Sequence, residues 1–349
     1  MLKLLLCCLL LLSCQQQRPD VSNKLPDSLP QPLTNHAVAA LTVDGQPQIY
    51  SFNGLRAGKG YQDITNQATV WRAGQWHTLS TPLSQPPVLA SVAVAVGEAV
   101  YLFGGYTVAP DHSELSVPNV WKIDARTDRW QALPPMPTPV DDTVALVYQQ
   151  RYIYLISGWH DVDNVALVQV LDTVSLTWQQ ATPYPLPPVF GHAGAMIGHQ
   201  MVICDGVKVS WSGEKKSFSP SPACALGEIS VTDPTKIAWQ TIPHHSGVAY
   251  YRMAATDDGR QRLVFAAGSD NPYNYNGIGY NQEPAAPSGD LRIYNLQQRN
   301  WEISHDVLSP TMDHRSLLRL GDQGLILGGM LANQKVDDGI IYFPLLNKE

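Results

Sequence analysis

Six short apolar runs, each closed by a glycine, recur along the chain: residues 49–54 (IYSFNG), 100–105 (VYLFGG), 152–158 (YIYLISG), 201–206 (MVICDG), 263–268 (LVFAAG) and 325–329 (LILGG). The closing glycines stand 51, 53, 48, 62 and 61 residues apart. A tryptophan follows five of the runs, at Trp76, Trp130, Trp178, Trp239 and Trp301, and in repeats two to five an Asp or Asn lies six residues before it (Asp124, Asp172, Asp233, Asn295). A period of roughly 50 residues built only from short strand-like segments predicts an all-β propeller of four-stranded blades. Six repeats predict six blades.

The second repeat is written most clearly. Ala90 to Val96 and Val100 to Phe103 are almost wholly apolar, as strands buried on both faces must be. Asn119 to Asp124 and Trp130 to Leu133 complete the blade, joined by a turn that Asp124 is suited to cap. Gly104 and Gly105 stand where the chain must turn sharply beside its neighbour. The order of apolar strand, Gly-Gly, variable loop, large apolar residue, tryptophan seven positions later and proline-rich exit resembles the Kelch repeat. That spacing holds at Ile123/Trp130, Leu171/Trp178 and Tyr294/Trp301. It departs before Trp76, where the turn is shorter, and in the fourth repeat, where Thr232 replaces the apolar residue.

The last repeat has no tryptophan strand after Ile340 to Phe343, whereas residues 25–32 (LPDSLPQP) look like the exit segment at Leu133 to Pro137. The N-terminal segment is therefore expected to complete the sixth blade and close the ring, which removes an open sheet edge. The repeats use up residues 25–349 as one propeller domain.

Before it, Lys3, an apolar stretch from Leu4 to Leu12 and the small Ser13 form a signal peptide over residues 1–13, too short to span a bilayer. Leu11-Leu12-Ser13-Cys14 resembles the bacterial lipobox, which implies lipidation at Cys14 and a membrane anchor there; an ordinary signal peptide cut elsewhere is the alternative. Gln15 after the cysteine fits sorting to the outer membrane, facing the periplasm. Residues 14–24 serve as a tether.

Processing of this kind leaves Cys204 and Cys224 in an oxidising compartment, where disulfides persist. Both lie in the fourth repeat and could face each other across a hairpin; a buried unpaired Cys204 is the other reading. A net charge of −7 with no basic run argues against a nucleic-acid partner. No P-loop, G-x-S-x-G or H-E-x-x-H is present, and His244-His245 alone does not argue for a metal, so neither a cofactor nor a metal is expected. A monomer is expected.

Loops of a propeller gather at the two mouths of its axial channel on a rigid scaffold. Polar residues begin the innermost strands (His36, Asp142, His192, Arg252, His314, Arg315), and the loops after the glycines add Tyr106, Trp159, Tyr273, Tyr275 and Tyr280. Of these, His36, His192, Arg252, His314, Arg315, Tyr273, Tyr275 and Tyr280 are the candidate ligand-binding residues, for a small carbohydrate or, alternatively, a protein partner. The loops of the fourth and fifth repeats are the longest, and insertions on one face of a repeat array mark a binding face. A six-bladed Kelch propeller on the periplasmic side is similar to the bacterial N-acetylneuraminate epimerases, which act as sialic-acid mutarotases. That resemblance implies a catalytic base at Glu214 of Gly213-Glu214, although residues 215–224 lack the arginine that follows in that family, and Lys215 or Lys216 substitutes for it only loosely because lysine has no bidentate fork for a carboxylate. It leaves open a non-catalytic glycan- or protein-binding module.

Overall fold

The computed structural model describes residues 25–345, so the signal peptide, Cys14 and the tether lie outside the described residues. Five antiparallel four-stranded sheets and one three-stranded sheet follow in chain order, each entered by its innermost strand: Ala37–Val43, Val92–Val96, Val144–Tyr148, Ala193–Ile197, Ala254–Asp257 and Leu318–Leu320. In blade 2 the strands are Val92–Val96, Ala99–Phe103, Val120–Asp124 and Trp130–Ala132, within two residues of the expected ends. The second strand of each blade is buried except at its first one or two residues, and in Ala99–Phe103 throughout, because its two faces meet the two neighbouring blades.

The closing glycines are required by geometry. Gly54, Gly105, Gly158, Gly206, Gly268 and Gly329 all have φ between 84° and 115°. A Cβ on Gly54 or Gly206 would stand 2.7–2.8 Å from the Cβ of His36 or His192, so a side chain would drive the strand end into the next turn.

The tryptophans staple one blade to the blade before it. The indole N–H groups of Trp178, Trp239 and Trp301 donate to the carbonyls of Pro134, Thr182 and Pro243 in the preceding exit segments, at 3.0, 3.3 and 2.8 Å. Trp76 donates to Ser28 O at 2.8 Å. Residues 27–33 thus take the place of the missing exit of blade 6. They also pair with its last strand, Val336–Pro344, through Leu29 N to Asp338 O (2.7 Å), Leu33 N to Asp337 O (3.0 Å) and the Ser28–Gly339 bridge. The ring is closed by the N-terminal segment.

Cys204 and Cys224 lie directly opposite each other on adjacent strands of blade 4, with Cα atoms 4.2 Å apart, and form a disulfide. Among the described residues no helix is long and apolar enough to cross a membrane.

Candidate functional site: the mouth cavity and its floor

Just before each innermost strand, one residue adopts the left-handed conformation: Asn35, Ala90, Asp142, Gly191, Arg252 and Asp313, with φ between 47° and 72°. Five of the six are not glycine, a conformation that L-residues adopt only when the surroundings impose it. Here a blade-to-blade hydrogen-bond ring imposes it. Asp142 N donates to Ala90 O, Gly191 N to Asp142 O, Arg252 N to Gly191 O and Asn35 N to Asp313 O, at 2.7–3.3 Å; Ala90 N donates to Asn35 Oδ1 at 2.6 Å.

Within this ring, charges meet across the propeller axis. The Arg252 guanidinium donates to both Asp142 oxygens (3.2 and 2.5 Å) and to Asp313 (2.9 Å). Arg315 reaches Asp142 at 3.0 Å and Asn35 at 2.6 Å, and Thr34 donates to Asp313 at 2.7 Å. All four charged groups are buried. Burial alone would raise the pKa of Asp142, but the Arg252 and Arg315 charges outweigh it and hold it below the usual carboxylate range. The two acids and two guanidiniums balance, so this cluster is a neutral floor. Below it lies an axial cavity of about 250 Å³ lined by inner-strand residues, His192 and Arg315.

Above the floor is a cavity of about 480 Å³. Its aromatic wall comes from Tyr106, Trp159, Phe190, Phe218, Tyr275 and Tyr280. Phe218 and Tyr280 stack with ring centres 4.1 Å apart; Trp159 packs on Phe190 with ring centres 5.3 Å apart and planes tilted by 60°, and the ammonium of Lys216 sits 4.5 Å from its ring centre. Between these rings stand Glu114, Asp141, Lys216, Asn274 and Gln282. Asp141 accepts a bond from Ser116 Oγ at 2.6 Å; burial, reinforced by the adjacent Asp142 charge, still pushes its pKa well above the carboxylate range. Glu114 is raised as well, by the crowding of its carboxyl more than by the charges around it. Lys216 Nζ lies over the rings of Trp159, Trp211 and Phe218, and among the described residues it makes no ion pair with a carboxylate.

The histidines expected at the mouth are spent inside the blades. His36 bonds Ser51 Oγ (2.7 Å) and Leu327 O (3.0 Å), His192 Nε2 donates to Ile156 O (2.8 Å), and His314 bonds Thr311 Oγ1 (3.0 Å). Burial lowers their pKa values to about 4, 4 and 3, so all three are neutral. None lines the mouth cavity. In blade 3 Thr143 fills the same place and donates to the Ile156 carbonyl of its own blade, at 3.0 Å, the carbonyl that His192 reaches from blade 4, so the position serves backbone bonding inside the ring.

The remaining expected residues divide. Tyr275, Tyr280 and Arg252 line the cavity. Tyr273 is fully buried beneath it, its ring 5.4 Å from the Arg252 guanidinium, and Arg315 belongs to the floor. Glu214 sits in the exposed turn between Val207–Ser212 and Lys215–Pro220, outside the cavity lining, because that hairpin turns inward only at Lys216 and Phe218. Glu114, Asp141, Phe190 and Phe218 were not singled out by sequence, and Lys216 only as a loose substitute for the arginine missing after Glu214. Asp141 carried a signal, its place beside Asp142 at the start of an inner strand. Glu114, Lys216 and Phe218 lie in hairpins whose pairing the repeat pattern does not reveal, and Phe190 stands in the segment before an inner strand, bridged to Val207.

One cluster has metal-ligating residue types. Asp205 accepts from His244 Nε2 (2.5 Å) and His245 Nε2 (3.0 Å). His244 Nδ1, however, accepts the Gly247 backbone N–H at 2.8 Å, so its proton is on Nε2 and is given to Asp205. The three side chains form a hydrogen-bonded triad that ties the loop before blade 5 to the end of the second strand of blade 4. Tyr250 N also donates to Asp205, at 2.8 Å, much as Val189 N donates to Ser157 Oγ one blade earlier, at 3.0 Å.

The family model described as the KLHDC2/KLHL20/DRC7 Kelch-repeats domain matches residues 35–265, more than half of the chain. The chain belongs to the Kelch-repeat family. Among curated proteins this Kelch chain is similar to Kelch-like protein 15 of Homo sapiens, with 21% identity over 317 residues covering 85% of the chain and 47% of that protein. It is also similar to Kelch-like protein terF of Aspergillus terreus, with 27% identity over 222 residues covering 61% of the chain and 45% of that protein. The chain thus spans about half the length of these relatives. The solved structure of YjhT superposes with a TM-score of 0.70 at 15% identity, covering 92% of this chain and 97% of that one, a likeness of fold.

Proposed function

We propose that this Kelch propeller is a ligand-binding protein whose mouth cavity takes a small carbohydrate. The observation that carries the reading is the pairing of aromatic faces with polar side chains that keep hydrogen-bonding capacity around one volume. The Phe218–Tyr280 stack and Trp159 offer flat apolar surface to the C–H face of a sugar ring. Glu114, Asp141, Asn274 and Gln282 offer acceptors and donors to its hydroxyls. A volume of about 480 Å³ is in the range of small-molecule sites and has room for one or two sugar rings. Arg252, with its fork already held by Asp142 and Asp313, is replaced as the anchor for an acidic sugar by Lys216.

Anomer exchange is the catalytic form of this proposal. It needs one group to donate a proton to the ring oxygen and another to take the proton of the anomeric hydroxyl. Asp141 and Glu114 are two carboxyls lining one cavity, and they replace Glu214 in those roles. Titration of acidic and neutral sugars, followed by exchange NMR of the anomeric protons, tests both levels. Binding without accelerated exchange removes the enzyme and keeps the binding site; no binding by any sugar removes both.

A second reading, a protein partner at the same mouth, is favoured by Leu115, Val162 and Trp211, which stand exposed on adjoining rim hairpins. It predicts that substituting these three abolishes partner capture while sugar titrations stay flat. For the cellular setting, the lipobox-like Leu11-Leu12-Ser13-Cys14 supports a lipid-anchored envelope protein. Radiolabelled palmitate should enter the wild type and not Cys14→Ala, and equal labelling rejects the anchor.

A further inference from the structure

The long fifth-repeat loop crosses the mouth. It leaves blade 5 at Ser269, and its tip arrives at blade 2, which stands opposite in a ring of six. There the Tyr275 ring packs on a small cluster from blades 1 and 2 that includes Leu55, Leu89 and Tyr106. Its hydroxyl meets His112 Nδ1 at 3.2 Å, across 163 positions of sequence. His112 occupies the turn of the blade 2 hairpin, Tyr106–Val108 with Glu114–Ser116. Two projections from opposite blades therefore meet over the cavity, and the residues that line it come from both: Tyr106 and Glu114 from one, Asn274, Tyr275, Tyr280 and Gln282 from the other.

The two ends of this strap are held differently. At its base Tyr273 is fully buried, Ala285 is buried and accepts from Gln334 Nε2 at 3.0 Å, and Tyr273 bridges to Gly279. At its tip Asn274 and Asn276 are exposed, and the contact with the far rim is one partly buried ring and one exposed hydrogen bond. A firm base with a lightly held tip is the build of a gating loop.

We propose that the strap is the gate of the mouth cavity, closed in this structure by the clasp of Tyr275 on the His112 hairpin and opened by lifting of its tip. That what passes is a sugar rests on the function proposed above; the gating itself does not, and it is tested without any ligand. Asp141, buried and lining the cavity, is reached by a reagent through the mouth, whereas Glu214 in its exposed turn is always accessible. Full-length His112→Cys/Tyr275→Cys protein is either linked across the clasp with bis-maleimidoethane or capped at both thiols with N-ethylmaleimide. Each form is treated with a water-soluble carbodiimide and glycinamide, and the ratio of Asp141 to Glu214 labelling is read by mass spectrometry.

Linking is expected to lower that ratio at least about tenfold relative to capping, as closure of a loop over a site does. Tyr275→Ala alone, which leaves the buried base intact, is expected to raise it about threefold over wild type. Equal ratios in the linked and capped forms, or an unchanged ratio in Tyr275→Ala, overturn the gate. A gate that responds while every sugar fails to bind leaves the clasp standing and removes the carbohydrate.

Discussion

In the floor of the mouth, Asp142, Asp313, Arg252 and Arg315 neutralise one another, and every carboxylate of the cluster is bonded to a guanidinium. In the cavity directly above, among the described residues, Glu114 and Asp141 have no cationic partner within ion-pair distance, and Lys216 is held by aromatic faces. The same residue types thus do opposite work in adjacent layers. Below the boundary, charge is consumed in closing the ring; above it, charge is left for something else to meet. Buried polar groups stabilise a fold when they are mutually satisfied, and a site is where that satisfaction is incomplete. Arg252 lies on the boundary and belongs to the lower layer.

The largest effect expected from this contrast is on acid stability. His36, His192 and His314 are neutral in the fold with pKa values of about 4, 4 and 3, against 6.5 when unfolded. Their contribution is complete above pH 6.5 and is lost as pH falls toward 4, because the unfolded chain then binds more protons. For three fully buried imidazoles, lowering the pH from 7 to 5 should cost roughly 5 kcal/mol, read from urea unfolding at each pH. Asp141 works the other way: its raised pKa adds stability as pH falls, so Asp141→Asn should steepen the loss on acidification. A stability independent of pH between 7 and 5 would place the histidines in water, at the mouth.

Arg252→Met comes next. It leaves Asp142 and Asp313 buried without their shared cation, which should destabilise by about 3–5 kcal/mol in denaturant titrations. If Arg252 instead belonged to the cavity, the variant would fold normally and fail only in ligand binding. The smallest effects are expected above the floor: Lys216→Ala and Glu114→Gln should each change stability by less than about 0.5 kcal/mol, since neither breaks a buried pair. A loss there as large as that of Arg252→Met would dissolve the distinction between the layers.

The architecture was legible because it repeats. Gly54, Gly105 and their equivalents, and Trp76 to Trp301, are dictated by backbone geometry and blade packing that recur in each blade, so periodicity exposes them. The N-terminal closure was legible for the same reason, as a missing exit segment found at the other end. The site was legible only by face. His36, His192 and His314 begin inner strands just as Asp142 and Arg252 nearly do, yet a shift of one residue out of the left-handed position turns a side chain away from the mouth cavity to bond inside the ring. Glu214 and Lys216 differ by two positions in one hairpin, and the inward turn of that hairpin is decided by Phe218 stacking on Tyr280, a partner 62 residues away. Pairings of that kind occur once in the molecule and leave no period to read.

The most direct test is a calorimetric titration of one panel of acidic and neutral sugars into the wild type, Tyr280→Ala and Lys216→Ala. Binding by the wild type is expected to weaken about tenfold or more in Tyr280→Ala, and in Lys216→Ala to weaken for acidic sugars while neutral ones are retained. A sugar that binds all three proteins equally well would contradict the assignment of the cavity.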